Sequence, residues 1–230
     1  VTTTIDVVVP TLNAAPGLAR TIAALGDGRD HGLVLSVTVC DGGSRDDTLA
    51  IARAAGAAVV ATAPGRGRQL AAGAAAGSAP WLLFLHADTT LGAGWANAAR
   101  CFMAEATNAA RAGYFRLQFD SPDPRARRVE RLVAWRCRTF GLPYGDQGLL
   151  MARAFYQRLG GFHLLPLMED VNLVRRIGRP NLVPLDADVV ASARRYERDG
   201  WLLRPLRNLS CLALFSAGVP VSVVRRLYDG

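Results

Sequence analysis

Four apolar runs in the first half of the chain each stop at a polar or glycine-rich cluster and give way to helical spacing. Residues 5–9 end at Pro10-Thr11-Leu12-Asn13, and residues 33–40 end at Asp41-Gly42-Gly43-Ser44. Residues 57–61 lead into the glycine-rich loop 64–68, and residues 81–85 stop at His86-Ala87-Asp88. Helical spacing follows over residues 16–25, 46–55, an Ala-rich stretch to Gly77, and residues 92–106. Four strand–helix units within about 105 residues predict a mostly parallel sheet covered by helices. In such sheets ligands sit at the carboxyl ends of the strands, so the four polar clusters are expected to converge on one cleft.

The second half changes character. Residues 113–119 alternate as a strand, 124–140 have helical spacing, and 147–151 form a short apolar segment followed by a helix that ends near Gly160-Gly161. A helix is expected over 168–177, and two short strands over 181–185 and 189–191. The division expected is one domain over 1–200, with a nucleotide-binding half (1–110) and an acceptor half (111–200), followed by C-terminal apolar helices over 201–230. Those helices either pack on the domain or face a membrane, where Arg204, Arg207, Arg225 and Arg226 would meet lipid phosphates. No run approaches 18 uninterrupted apolar residues, so a spanning helix is not expected.

The 27 basic residues are all arginine, and the net charge is +8. An anionic partner is one explanation, whether a phosphorylated substrate or an anionic membrane surface; solvated helix faces are the other. No zinc knuckle, RNA-binding aromatic pair or helix-turn-helix pattern is present, and a nucleic-acid partner is not expected. Cys40, Cys101, Cys137 and Cys211 have no metal-ligand spacing and read as buried free thiols, as suits a reducing cytoplasm. The opening segment reads as a strand rather than a signal peptide, so a cytoplasmic location is expected, with the inner face of the membrane as the variant.

No G-x-G-x-x-G follows the first strand and no Walker lysine is present, which excludes the usual dinucleotide and P-loop sites. Asp41 either accepts hydrogen bonds from a base or ribose or caps its own turn. Arg66 and Arg68 lie where glycines let the backbone approach a ligand and guanidinium groups fit phosphate. His86 and Asp88 end an apolar strand, and if it continues locally both point the same way. Asp88 suits a hard divalent ion touching a diphosphate; His86 is a ligand, a neighbour of one, or a cap. Glu169 and Asp170 open a helix, where acids also suit the dipole, and one of them could deprotonate a hydroxyl. Asp146 and Gln147 offer a further carboxylate and amide, and Arg195 beside Tyr196 could neutralise a departing diphosphate.

Taken in order, VVPTLN (8–13), VCDGGSRDDT (39–48), GRGRQ (65–69), FLHADT (84–89), GDQGLLM (145–151), GGF (160–162) and PLMEDVNL (166–173) resemble the inverting glycosyltransferase family 2. The resemblance is strongest to its small bacterial arsenosugar-biosynthesis-like subgroup. It implies the GT-A nucleotide-diphospho-sugar fold, an α/β three-layer αβα sandwich with a mostly parallel mixed sheet. It implies a nucleoside diphosphate sugar donor, uridine by default with guanosine as alternative, and a divalent cation, Mg²⁺ or Mn²⁺. Pro10, Thr11, Asn13, Asp41, Arg66 and Asp88 would bind the donor, and Asp88, with a weaker claim for His86, the metal. Asp170 would be the general base, with Glu169 orienting base or acceptor. Asp146, Gln147, Gly160, Gly161 and Phe162 would border the acceptor cleft, and Arg195 would meet the leaving group. Many relatives carry Asp where this chain has His86, and the Gln and Trp of their Q-x-x-R-W segment are missing around Arg195.

The resemblance leaves the acceptor unnamed: phosphorylated, lipid-linked, or soluble beside a homodimer interface. The competing functions are a sugar nucleotidyltransferase, which would be expected to carry a lysine in its first turn, and a non-catalytic nucleotide- or membrane-binding module.

Overall fold

The computed structural model describes residues 3–229. Its eight strands form one sheet in the order β3-β2-β1-β4-β7-β6-β8-β5. The first half builds β1 (Ile5–Thr11), β2 (Val34–Asp41), β3 (Ala58–Ala61) and β4 (Trp81–Phe84) as a parallel block. Helix α1 (Ala15–Ala23), the short α2 (Gly26–Asp30) and α3 (Thr48–Ala54) carry the chain outward from β1 to β3, and α4 (Arg66–Ala76) brings it back across β1 to β4. Right-handed crossovers put an outward and a returning connection on opposite faces, which leaves a crevice between β1 and β4. Helix α4 can lie close because Gly73 meets Val8 and the Cys40 thiol, and Gly77 meets the Asp6 carboxylate, where a side-chain carbon would collide.

Asp6 is buried in that contact and fully partnered. It accepts from Ser36 Oγ at 2.6 Å, Ala79 N at 2.7 Å and Arg153 Nη2 at 2.6 Å, so its charge ties β1 to the second half. Buried carboxylates persist when paired in this way.

The second half adds β5 (Thr89–Leu91), α5 (Trp95–Ala104), β6 (Ala112–Phe119), α6 (Pro124–Phe140), β7 (Leu149–Ala152), α7 (Arg153–Arg158), α8 (Glu169–Ile177) and β8 (Leu182–Ala191). Strand β7 is antiparallel to both β4 and β6, and β5 is antiparallel to β8, so the sheet is mixed. Helix α6 matches its sequence boundaries because its ends are chemically marked. Asp123 accepts from Arg125 N at 2.8 Å, Pro124 opens the first turn, and Gly141 takes the left-handed conformation at φ 60°.

Two expectations change here. The two strands expected at 181–185 and 189–191 are one strand, β8. Tyr114 faces Pro184 while Arg116 faces Asp188, and around that irregularity Pro184, Asp186 and Asp188 are residues that strands disfavour, which breaks the apolar run in the sequence. Cys101 is exposed, whereas Cys40, Cys137 and Cys211 are buried.

The chain ends in α9 (Arg194–Asp199), α10 (Leu203–Ser216) and α11 (Val221–Asp229). Cys211 of α10 and Val224 of α11 join a second apolar cluster with Leu167, Met168 and Val171, so this hairpin packs beside the start of α8. Its outer side leaves Leu202, Leu203, Leu206 and Leu209 exposed. Among the described residues no helix is long and apolar enough to cross a membrane.

Candidate functional site

The ends of β1 and β4, the start of α4 and the loop before α9 enclose a cavity of about 440 Å³. Its walls include Pro10, Thr11, Asn13, Arg66, His86, Asp88 and Arg195, all expected from sequence. At Asp88 it adjoins an inner cavity of about 110 Å³ whose walls include Asp146, Asp170 and Tyr144. Arg66, His86, Asp88, Arg195 and Tyr228 border both spaces.

Asn13 reaches this wall with a left-handed backbone, φ 51°. Its N–H donates to Ser44 Oγ at 2.8 Å, and its Oδ1 accepts from Arg45 N at 2.9 Å, which fastens the loop after β1 to the loop after β2. Gln69 braces the same strand ends, donating through Nε2 to Thr11 O at 2.6 Å and Cys40 O at 2.8 Å.

Asp41 does not border either cavity. Its carboxylate is buried and accepts from Thr11 Oγ1 at 3.0 Å, Gly43 N at 2.9 Å, Ser44 N at 2.8 Å and Ser44 Oγ. Burial alone would raise its pKa; the hydrogen bonds from Ser44, Gly43 and Thr11 outweigh it and hold the group below the ordinary carboxylate range. Of the two sequence readings, the turn-organising one describes this geometry.

His86 and Asp88 lie in a turn rather than on a continuing strand, since β4 stops at Phe84. Thr89 Oγ1 donates to His86 O at 2.8 Å and Thr21 Oγ1 to Ala87 O at 2.9 Å, which pins the turn. The Nε2 edge of His86 packs on Gly145, where a side-chain carbon would collide with it. Burial, and then the Arg66 charge, push the His86 pKa down to about 4 against the pull of Asp88 and Asp170, so the ring is neutral near pH 7. Asp88 is exposed at the junction of the two cavities.

At the start of α8, Met168 adopts a left-handed backbone, φ 63°. The turn sends the next two acids to different places. Asp170 borders the inner cavity, with Oδ2 accepting from Gly145 N at 2.8 Å and Oδ1 from Val171 N at 2.7 Å. Glu169, expected beside substrate, is fully buried and borders neither of the two larger spaces. It faces Arg66 instead, Nε to Oε1 3.2 Å. Burial raises its pKa to about 7, against the opposing charge of Arg66.

Asp146 borders the inner cavity, and burial, opposed by Arg136 and reinforced by Asp170 and Asp88, raises its pKa to about 6. Gln147 is a buried strut: its Nε2 donates to Phe115 O at 3.1 Å, and its Oε1 accepts from the Cys137 thiol at 3.1 Å and Tyr144 N at 3.3 Å. Gly160 and Gly161 form the turn after α7 with φ 79° and 65°, and Phe162 packs edge-on to Phe84 at 4.9 Å. None of these four borders the two main cavities.

Arg204, Asn208 and Tyr228, from α10 and α11, also border the inner cavity. Sequence reading missed Asn208 and Tyr228, because no motif marks them within an apolar tail.

A model of the glycosyl transferase family 2 matches residues 6–151, well over half of the chain. The chain belongs to glycosyl transferase family 2. Family membership supports glycosyl transfer over the nucleotidyltransferase reading. A search of curated proteins found no match. Among solved structures, this glycosyltransferase resembles glucosyl-3-phosphoglycerate synthase from Mycobacterium tuberculosis, solved with Mn²⁺, uridine diphosphate and glucosyl-3-phosphoglycerate. The TM-score is 0.56 at 22% identity, over 82% of this chain and 70% of that one. It also resembles S. aureus TarS, with a TM-score of 0.65 at 15% identity, over 97% of this chain and 42% of that one. At these identities the likeness shows the fold.

Proposed function

We propose that the chain transfers a sugar from a nucleoside diphosphate sugar to an acceptor hydroxyl by direct displacement with inversion. The observation that carries this reading is the placement of Asp88 and Asp170. Asp88 stands where the larger cavity meets the inner one, and Asp170 borders only the inner one. The larger cavity takes the nucleotide, and the anomeric carbon lies at the junction.

Asp170 is the general base. Two backbone N–H groups fix its carboxylate, so it meets the acceptor hydroxyl in a set orientation. The hydroxyl oxygen forms the new bond to the anomeric carbon as its proton passes to Asp170 and the bond to the nucleoside diphosphate breaks. One base suffices because no covalent intermediate forms. Arg66 and Arg195 border both cavities and supply positive charge beside the departing diphosphate.

Among the described residues no group of three His, Cys, Asp or Glu side chains could hold a metal ion. An exposed single carboxylate still fits a magnesium-like ion, which takes one or two carboxylates and fills its other positions with substrate phosphates and water. Asp88 is that carboxylate; the Nε2 edge of His86 is turned onto Gly145. When bound, the cation would neutralise charge on the leaving diphosphate. The M. tuberculosis synthase, solved with Mn²⁺ and uridine diphosphate, supports a uridine donor with Mn²⁺ or Mg²⁺. The His86-Ala87-Asp88 and GRGRQ segments support placement in the small bacterial subgroup.

Thermal-shift titration with uridine and guanosine diphosphates, with and without Mn²⁺, tests the donor site through ligand-linked stability. Stabilisation by one of them, enhanced by Mn²⁺, is expected; no stabilisation by either overturns the reading. The anomeric configuration of the product, followed by NMR, tests inversion.

A further inference from the structure

We propose that this chain docks on an anionic lipid bilayer through the outer faces of two neighbouring helices, α6 and α10. The surface lies outside the cleft and does not depend on which sugar or acceptor the cleft takes.

Helix α10 carries the apolar part. Leu202, Leu206, Leu209 and Ala213 recur at the spacing of one helix face and are all exposed, with exposed Leu203 beside them. The four leucines are 58–79% exposed. No charged residue of α10 is exposed, since Arg204 is buried and Arg207 half-buried. A surface helix ordinarily turns its charged side to water. Here the hairpin already packs on the domain through Cys211 and Val224, so the outward leucines add nothing to that core.

Helix α6 carries the charge. Its inner side, Ala126, Val129, Val133 and Cys137, is buried. The opposite face presents Arg128, Arg131, Leu132, Trp135 and Arg138, all exposed. Asp123 engages Arg125 and Glu130 engages Arg127, which leaves Arg128, Arg131 and Arg138 with no carboxylate in salt-bridge contact among the described residues. Trp135 packs edge-on to exposed Phe140 at 5.2 Å. Arginines around a Trp and Leu centre suit the headgroup level of a bilayer, where guanidinium groups meet phosphates and the indole lies at the boundary.

Tyr144 joins the two helices. Arg136 of α6 lies 3.5 Å over its ring, and the same ring packs against the cluster that holds Cys211 of α10. Tyr144, Arg204 and Asn208 border the inner cavity, so both docking faces belong to helices that wall or brace it.

Charge and area select the occupant. Residues 200–228 hold four arginines and no acid, and the whole chain carries +8. A second copy would set like charges against each other, and stable pairs bury about 800 Å² per partner, far more than one stripe of four leucines. A nucleic acid would engage the arginines and leave the leucines in water. An anionic bilayer accepts both.

Vesicle co-sedimentation of the full chain tests this, comparing phosphatidylcholine alone with a mixture containing about 30% phosphatidylglycerol. The wild type is expected to bind the anionic vesicles at least about tenfold more tightly. Arg131→Gln with Arg138→Gln should weaken that binding at least about tenfold, because each arginine near an anionic surface is worth roughly fivefold. Leu206→Gln with Leu209→Gln should weaken it about tenfold by removing apolar burial. All four side chains lie outside the core and the cavities, so Tm and the uridine diphosphate shift should not change. Should a double variant lose Tm, Arg138→Gln or Leu209→Gln alone repeats the comparison, with about threefold expected. Equal binding to both vesicle types, no binding, or full binding in either variant overturns the proposal. So does concentration-dependent dimerisation that the leucine variant abolishes, which would assign that face to a second copy. Vesicle binding without any nucleotide shift in the wild type would support the docking surface and sink the donor reading, so the two failures are separable.

Discussion

Arg66 Nε stands 3.2 Å from Glu169 Oε1, and the Glu169 carboxylate is wholly excluded from solvent. Among the described residues no other side chain donates to its oxygens, and Arg66 is the cation that faces it. Arg66 is 29% exposed and borders both cavities. Burial would lower its pKa, but Glu169, Tyr228, Asp170 and Asp88 reverse that and keep it charged. Glu169 therefore holds the Arg66 guanidinium where the two cavities meet.

A double-mutant cycle tests this pairing. Arg66→Met should cost about 3 kcal/mol in urea unfolding at pH 8, because it leaves a buried carboxylate unpaired. Adding Glu169→Gln should recover most of that loss, giving clear non-additivity. The sign with pH follows from the raised pKa of Glu169. A folded state that binds the extra proton loses stability as pH rises from about 4.5 through 7. The Arg66→Met defect should therefore shrink at pH 5. Additive losses at both pH values would remove the pair from the account.

Asp170→Asn should lower transfer by at least about 100-fold, the lower bound for removing a general base. Nucleotide affinity should hold, since Asp170 does not border the larger cavity. Initial rates and nucleotide titration of the same preparation check both. Undiminished transfer would move the base elsewhere, with Asp146 next on the same wall.

Much of this arrangement is legible in the sequence, for a physical reason. Pro10, Thr11, Asn13, Arg66 and Asp88 sit where apolar strands stop, and a parallel sheet brings such ends together. What is hidden depends on side-chain direction. Glu169 and Asp170 are neighbours in sequence, yet the left-handed Met168 turns one into the interior and the other into the cavity. Asp41 looks like a ligand contact because its partners, Thr11, Gly43 and Ser44, become visible only when the loops close. Asn208 and Tyr228 carry no local signal; helix packing alone brings them to the inner cavity. Strand β8 looks like two strands in the sequence because Pro184, Asp186 and Asp188 interrupt its apolar residues, although its faces still alternate.

Asp146 gives a pH prediction with a defined sign. Burial raises its pKa from 3.8 to about 6. Below pH 4 the group is protonated in both folded and unfolded chains and contributes nothing. Between about pH 4 and 6 the folded state keeps a proton the unfolded state has lost, so stability falls as pH rises. Asp146→Asn removes that penalty. Its Tm should exceed the wild-type value by about 2–6 °C at pH 7.5 and match it at pH 4. Equal Tm values at pH 7.5 would show that the carboxylate is not held at a cost.

Asp88 is the remaining acid at the junction, and its role separates from folding. It is exposed, so Asp88→Ala should leave Tm within about a degree in the absence of ligand. In the wild type, Mn²⁺ should enlarge the Tm shift produced by uridine diphosphate, because a ligand that binds only the folded state stabilises it according to its affinity. In Asp88→Ala the nucleotide should still bind through the remaining walls of the larger cavity, including Arg66 and Arg195, but the Mn²⁺ increment should vanish. His86→Ala should retain the increment, since the Nε2 edge of His86 is committed to Gly145. An increment that survives in Asp88→Ala and disappears in His86→Ala would reverse the assignment of the metal ligand.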